Sequence, residues 1–139
     1  MNATPLLLFP DALVSARQRR ALSQRHLAVE MQMDPSHVCA LEKGRKGAVT
    51  PALLERLAKA LGLSAEERAG LEWAAMHDQV VLCARDHAGE DAARMVSLGL
   101  QAQRALSTEE QQGVRALLFQ LVSAKRALTS LAGGHSMSP

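Results

Sequence analysis

Apolar residues recur along most of this chain at spacings of three and four, the period of helices that bury one face. The clearest stripe is Leu53, Leu54, Leu57, Ala58 and Leu61, opened by Thr50 as N-cap with Pro51 at the first helical position and closed by Gly62. Upstream, Phe9 is a candidate staple ahead of a helix that opens at Pro10-Asp11, runs to about Arg20 and turns Leu13, Val14 and Ala16 inward. Ser23 then caps a short helix with Leu27, Ala28 and Met31 on one face, and the pattern halts at Gln32-Met33. Asp34 is the next N-cap and Pro35 the next first position; this helix buries Val38 and Leu41 and stops at Gly44. Ser64, with Glu67 three residues on, is a capping box that starts a fifth helix through Leu71, Ala74 and Ala75. Five short helices on short connections predict a compact domain over residues 1–78, its core closing near Met76.

Residues 79–139 predict a second, helical region. Val80 to Asp86 extends the fifth helix or begins another, and His87-Ala88-Gly89 is a break. Glu90 to Ala105 reads as a helix with Ala93, Val96, Leu100 and Leu106 inward. Ser107 and Glu110 form another capping box, and the helix behind it carries Val114, Leu117, Leu118, Leu121, Val122, Leu128 and Leu131 over about seven turns. Leu117, Leu118, Leu121 and Leu128 make a stripe too wide for two helices to hide within one chain, so a dimerisation face is expected there. Met1 to Leu8 is expected to be a loose arm, and Gly133 to Pro139 a disordered tail.

Composition sharpens the fold class. Apolar residues are 47% of the chain, dominated by Ala and Leu, while Tyr is absent and the aromatics are Phe9, Trp73 and Phe119. No alternating run is long enough for a strand, so the class is all-α. The net charge of +2 hides an uneven distribution. From Arg17 to Lys46 seven basic residues (Arg17, Arg19, Arg20, Arg25, Lys43, Arg45, Lys46) stand against Glu30, Asp34 and Glu42. From Gly47 to Asp78 the balance reverses. A local basic face points to a polyanionic partner. Two cysteines, Cys39 and Cys83, make no disulfide framework, and Leu6 to Phe9 is too short for a signal peptide or membrane span. A cytoplasmic location without membrane contact is expected.

The stretch Ser23 to Lys46, SQRHLAVEMQMDPSHVCALEKGRK, has the layout helix, tight turn, helix. It resembles the DNA-binding unit of the Cro/phage-repressor (Xre-like) helix-turn-helix family. The resemblance rests on Ser23-Gln24, Leu27-Ala28, Met33, Val38 and Leu41-Glu42-Lys43-Gly44, with Arg17 seven residues before Gln24, and covers roughly Asp11 to Ala75. One departure is Gln32, where the family places Gly in the turn; a non-Gly residue in a left-handed conformation costs on the order of 1 kcal/mol. The resemblance implies a five-helix repressor-like domain whose second motif helix enters the major groove of double-stranded DNA. Matched position by position, Pro35, Ser36 and Ala40 fall where base-reading side chains stand, with His37 and Cys39 beside them. None is an Arg, Asn or Gln suited to a bidentate base contact, so direct readout is expected to be modest and supplemented by DNA shape. Gln24 falls where family members hold a phosphate, and Arg19, Arg20, Arg25, Lys43, Arg45 and Lys46 are further phosphate candidates. Arg17 and Glu42 fall on an ion pair that joins the first helix to the end of the recognition helix, a structural role.

The implied function is a sequence-specific transcriptional regulator, a repressor that binds a palindromic operator as a homodimer. Two rivals remain open: an antitoxin whose second half clamps a toxin, and a protein-interaction module that has kept the fold without binding DNA. Neither an enzyme nor a cofactor is expected, because no nucleophile motif or phosphate-cradling Gly loop is present. Cys83 and His87 are four apart, but His77 lies roughly 80° around the helix from His87, so no metal site is expected. A redox role for Cys39 has only a basic neighbourhood behind it.

Overall fold

The computed structural model describes residues 6–45, 47 and 49–136. Among them the chain is all-helical, with α1 (Phe9–Arg19), α2 (Gln24–Glu30), α3 (Pro35–Glu42), α4 (Pro51–Ala60), α5 (Ala65–Ala88), α6 (Glu90–Ala105) and α7 (Thr108–Ser136). Contacts divide it into two compact units, Met1–Leu98 and Gly99–Pro139.

The first unit closes around Phe9, Leu13 and Ala16 from α1, Leu27, Ala28 and Met31 around α2, Val38 and Leu41 from α3, and Leu57 and Leu61 around α4. Leu71, Ala74 and Ala75 complete it from α5. Local chemistry starts most of these helices. The side chains of Ser23, Asp34, Thr50 and Ser64 each accept from a backbone N–H in the following turn, and Ser64 with Glu67 forms a full capping box. Between α2 and α3, Gln32 adopts φ +52°, the left-handed conformation its turn demands; Ala21, between α1 and α2, does the same at φ +53°. Gly44, at φ +68°, ends α3, and a Cβ there would stand 3.3 Å from the side chains of Leu7 and Pro10.

Helix α1 begins one residue earlier than its Pro10 signal, and its N-terminus is capped from afar. The Leu8 and Phe9 amides donate to Asp78 Oδ1 and Oδ2 at 2.8 and 2.9 Å. The Leu8 end of the expected loose arm is therefore tied down; residues 1–5 lie outside the described residues.

The expected boundary at Asp78 falls inside a continuous helix. Helix α5 runs for 24 residues to Ala88, and the break reduces to Gly89 at φ +91°. Beyond the first core, His77, Val81, Ala93 and Ser97 are buried, so the start of α6 belongs with the first unit. Val96 is half-buried there. In the second unit, Ser107 and Glu110 cap α7, and Gln111 Nε2 donates to the carbonyls of Gln103 and Leu106. Helix α7 continues through Gly133 to Ser136, where a disordered tail was expected; residues 137–139 lie outside the described residues.

Candidate nucleic-acid interface

Helix α3 owes its position to its inward side. Val38 is fully buried and Leu41 nearly so, packed with Leu27, Ala28 and Met31 in the same core. Asp34 Oδ1 accepts from the Ser36 amide at 2.8 Å, which fixes the first turn. Those hydrogen bonds from Ser36 hold the Asp34 carboxyl below the ordinary aspartate range. With its apolar side committed, the helix leaves Pro35 and Ser36 exposed and His37, Cys39 and Ala40 half-buried.

The far end of α3 is held by charge. Arg17 reaches Glu42 with Nε (2.9 Å to Oε2, 3.2 Å to Oε1) and Nη2 (2.8 Å to Oε1), while its Nη1 donates to the Leu22 carbonyl at 2.8 Å. Gln24 Nε2 adds a fourth hydrogen bond to Glu42, donating to Oε1 at 3.2 Å. The two side chains are only 14% and 4% exposed, and the hydrogen bond to Glu42 raises the Arg17 pKa above its already high value. One guanidinium thus binds the end of α1, the α1–α2 turn and the end of α3. Gln24, expected on a phosphate, spends one amide hydrogen on this cluster.

The basic candidates divide by what surrounds them. Arg25, Lys43 and Arg45 are exposed and make no ion pair among the described residues. Lys46 lies outside the described residues. Arg20 is occupied at the α4–α5 corner: Nε donates to the Leu61 carbonyl at 2.7 Å, and Nη2 to Gly62 O and Glu67 Oε1 at 2.9 and 3.1 Å. Arg19 lies 3.7 Å from the other oxygen of the same Glu67. Hydrogen bonds from Ser64, then from Arg20, hold the Glu67 carboxyl below the ordinary glutamate range. A single carboxylate thereby caps α5 and locks the C-terminal end of α1 to it.

Two features had no signal in the chain pattern. Arg56 Nη2 donates to the Met31 carbonyl, bracing the α2 end of the turn from α4. Ser97 Oγ, His77 Nε2, His77 Nδ1 and Asp78 Oδ1 form a chain with both contacts at 2.8 Å. A carboxylate only accepts, so Nδ1 carries the proton. The order hydroxyl, imidazole, carboxylate matches a nucleophilic triad, but the setting is structural. His77 is fully buried, Ser97 is 6% exposed, the Trp73 ring lies 5.3 Å from the imidazole at a tilt of 32°, and Asp78 is committed to the amides of α1.

This also removes His77 from any set with Cys83 and His87. Those two do approach, Sγ to Nδ1 at 3.8 Å, but the imidazole Nδ1 lies 2.9 Å from the Cys83 carbonyl. No three potential metal ligands gather among the described residues. None of the described helices is long and apolar enough to cross a membrane.

In the second unit, α7 exposes large apolar side chains: Leu117 is 58% exposed, Leu118 44%, Leu121 60% and Leu128 65%. Residues 11–71 match the model of a family described as a helix-turn-helix domain. The matched span runs from the first turn of α1 into α5 and contains α2, α3 and the Arg17–Glu42 pair. Neither the curated proteins nor the solved structures contain a match to the chain.

Proposed function

We propose that this chain, whose residues 11–71 form a helix-turn-helix domain, is a sequence-specific transcriptional repressor that binds a palindromic operator as a homodimer. The observation that carries the reading is the exposed first turn of α3, clamped at both ends and flanked by exposed Arg25, Lys43 and Arg45. Pro35, Ser36, His37, Cys39 and Ala40 face the base edges. Gln24, Arg19, Arg25, Lys43, Arg45 and Lys46 supply phosphate contacts, which give most of the affinity and fix the register. Arg20 is a further phosphate candidate, its Nε and Nη2 engaged at the α4–α5 corner. Ser36 is the hydrogen-bonding reader, and Ala40 offers a methyl contact to thymine. Dimerisation through Leu117, Leu118, Leu121 and Leu128 links two half-site readers into one ligand, which multiplies affinity without new contacts.

The exposure of α7 also supports a second reading, an antitoxin or adaptor that uses this helix to hold a protein partner. Selection of bound fragments from genomic DNA, followed by titration of the recovered duplex at several salt concentrations, separates the two. A regulator gives a two-fold-symmetric consensus and an affinity that falls steeply with salt. Recovery of no consensus, with binding absent at low salt, excludes the repressor.

A further inference from the structure

We propose that α7 pairs antiparallel with α7 of a second copy, centred between Leu117 and Leu118. The proposal rests on the reading of α7 as the dimer face and supplies its geometry. On one stripe of this helix stand Glu110, Val114, Leu117, Leu118, Leu121 and Lys125. Their intervals are four, three, one, three and four, so the segment from Glu110 to Lys125 reads the same from either end, with Leu128 beyond it. Its termini carry opposite charges, and neighbours repeat the sign, Glu109 beside Glu110 and Arg126 beside Lys125. Glu110 and Lys125 are separated by about 22 Å along their own helix and cannot meet within it.

Reversing a second copy about the centre brings Val114 level with Leu121 of that copy and Glu110 level with its Lys125. Leu117 then lies level with Leu118 of that copy, and Leu118 with its Leu117, on either side of the two-fold axis. The two-fold makes each contact occur twice, the self-complementary arrangement of an isologous interface. A parallel pair would instead set Glu110 against Glu110 and Lys125 against Lys125, like charges at both ends of a shared apolar seam. The capping box holds Glu110 at the start of this seam, since its Oε1 accepts from the Ser107 amide at 3.0 Å. Exposure of Val114 (39%), Leu117 (58%), Leu118 (44%) and Leu121 (60%) leaves the seam open to receive the second copy.

Disulfide trapping in the full-length chain, with Cys39→Ser and Cys83→Ser as background, tests the arrangement. One preparation carries Val114→Cys and the other Leu121→Cys. Antiparallel pairing gives a cross-linked product only when the two are mixed. Self-linked products from each preparation alone, without a mixed product, establish a parallel pair and overturn the proposal while leaving the dimer intact. A monomer by sedimentation at micromolar concentration overturns both the proposal and the dimer it rests on. Charge exchange gives an independent readout. Glu110→Lys and Lys125→Glu each weaken the dimer by roughly tenfold, and the double exchange restores it, because the two ion pairs re-form with signs reversed. Additive loss in the double exchange overturns the register.

Discussion

Replacing Glu42 with Leu isolates the energetic role of the clamp at the end of α3. The change removes the acceptor for three hydrogen bonds from Arg17 and one from Gln24, and leaves the guanidinium with the Leu22 carbonyl as partner. Arg17 is 14% exposed, so water reaches it poorly and little of its lost solvation returns. Breaking such a pair costs about 3 kcal/mol, the low end of the range for buried pairs because the site is not completely dry. Arg17→Met strands the carboxylate, which is only 4% exposed, at a similar cost. The double change Arg17→Met/Glu42→Leu removes both charges together and leaves only the Leu22 carbonyl and the Gln24 amide short of a partner, about 1–2 kcal/mol. The singles thus sum to about 6 kcal/mol while the double costs a third of that or less. Urea melts of the four chains followed by circular dichroism give the cycle directly. In heat, each single lowers Tm by about 12–24 °C, taking 4–8 °C per kcal/mol for a domain of this size. A coupling energy below about 0.5 kcal/mol would show that the pair contributes nothing beyond its separate parts.

Gln32→Gly should raise the urea midpoint by the equivalent of up to about 1 kcal/mol, because φ +52° strains Gln and not Gly; a lower midpoint would contradict a left-handed turn. The caps of α3 and α5 make the fold acid-sensitive. Asp34 and Glu67 have folded pKa values below the ordinary carboxylate range, so their stabilisation is complete above about pH 4–5 and is lost as pH falls through the folded values. Asp34→Asn/Glu67→Gln should therefore destabilise at pH 7 and converge on the parent as pH falls through the folded values in pH-dependent melts; a constant gap would refute the linkage. At the DNA, Arg45→Ala should weaken all duplexes alike and flatten the salt slope by about one, whereas Ser36→Arg should change the selected consensus at one position per half-site. A consensus untouched by Ser36→Arg would remove α3 from the major groove.

What could be read from the chain was local. Ser23, Asp34, Thr50, Ser64 and Ser107 each announce a helix within four residues, and the Leu stripe of α4 fixes its buried side. The left-handed Gln32 was legible through the family resemblance, since the departure from Gly stood in an otherwise matching turn. Ala21 carries no such marker. Helix α5 passes the expected boundary at Asp78 without a break, and His77 and Asp78 are buried within it. Their partners lie 20 and 70 residues away, and nothing in sequence order separates a buried polar pair from an exposed one. Arg20 failed to stand apart from its basic neighbours for the same reason, since its acceptors at Leu61 and Gly62 are backbone carbonyls. Gly133 read as a stop, yet α7 passes through it.

The carboxylate that caps α1 has a consequence for the order in which the protein is made. Leu8 and Phe9 leave the ribosome long before Asp78, which follows Leu8 by 70 positions. At synthesis rates of 5–20 residues per second, the first helix waits about 4–14 s for the group that completes its N-terminus. During that interval α1, α2 and α3 can associate through their apolar faces, but the opening amides of α1 still belong to water. Maturation of the helix-turn-helix end is therefore timed by translation of the middle of the chain, and a message broken before the Asp78 codon yields α3 without the carboxylate that completes α1.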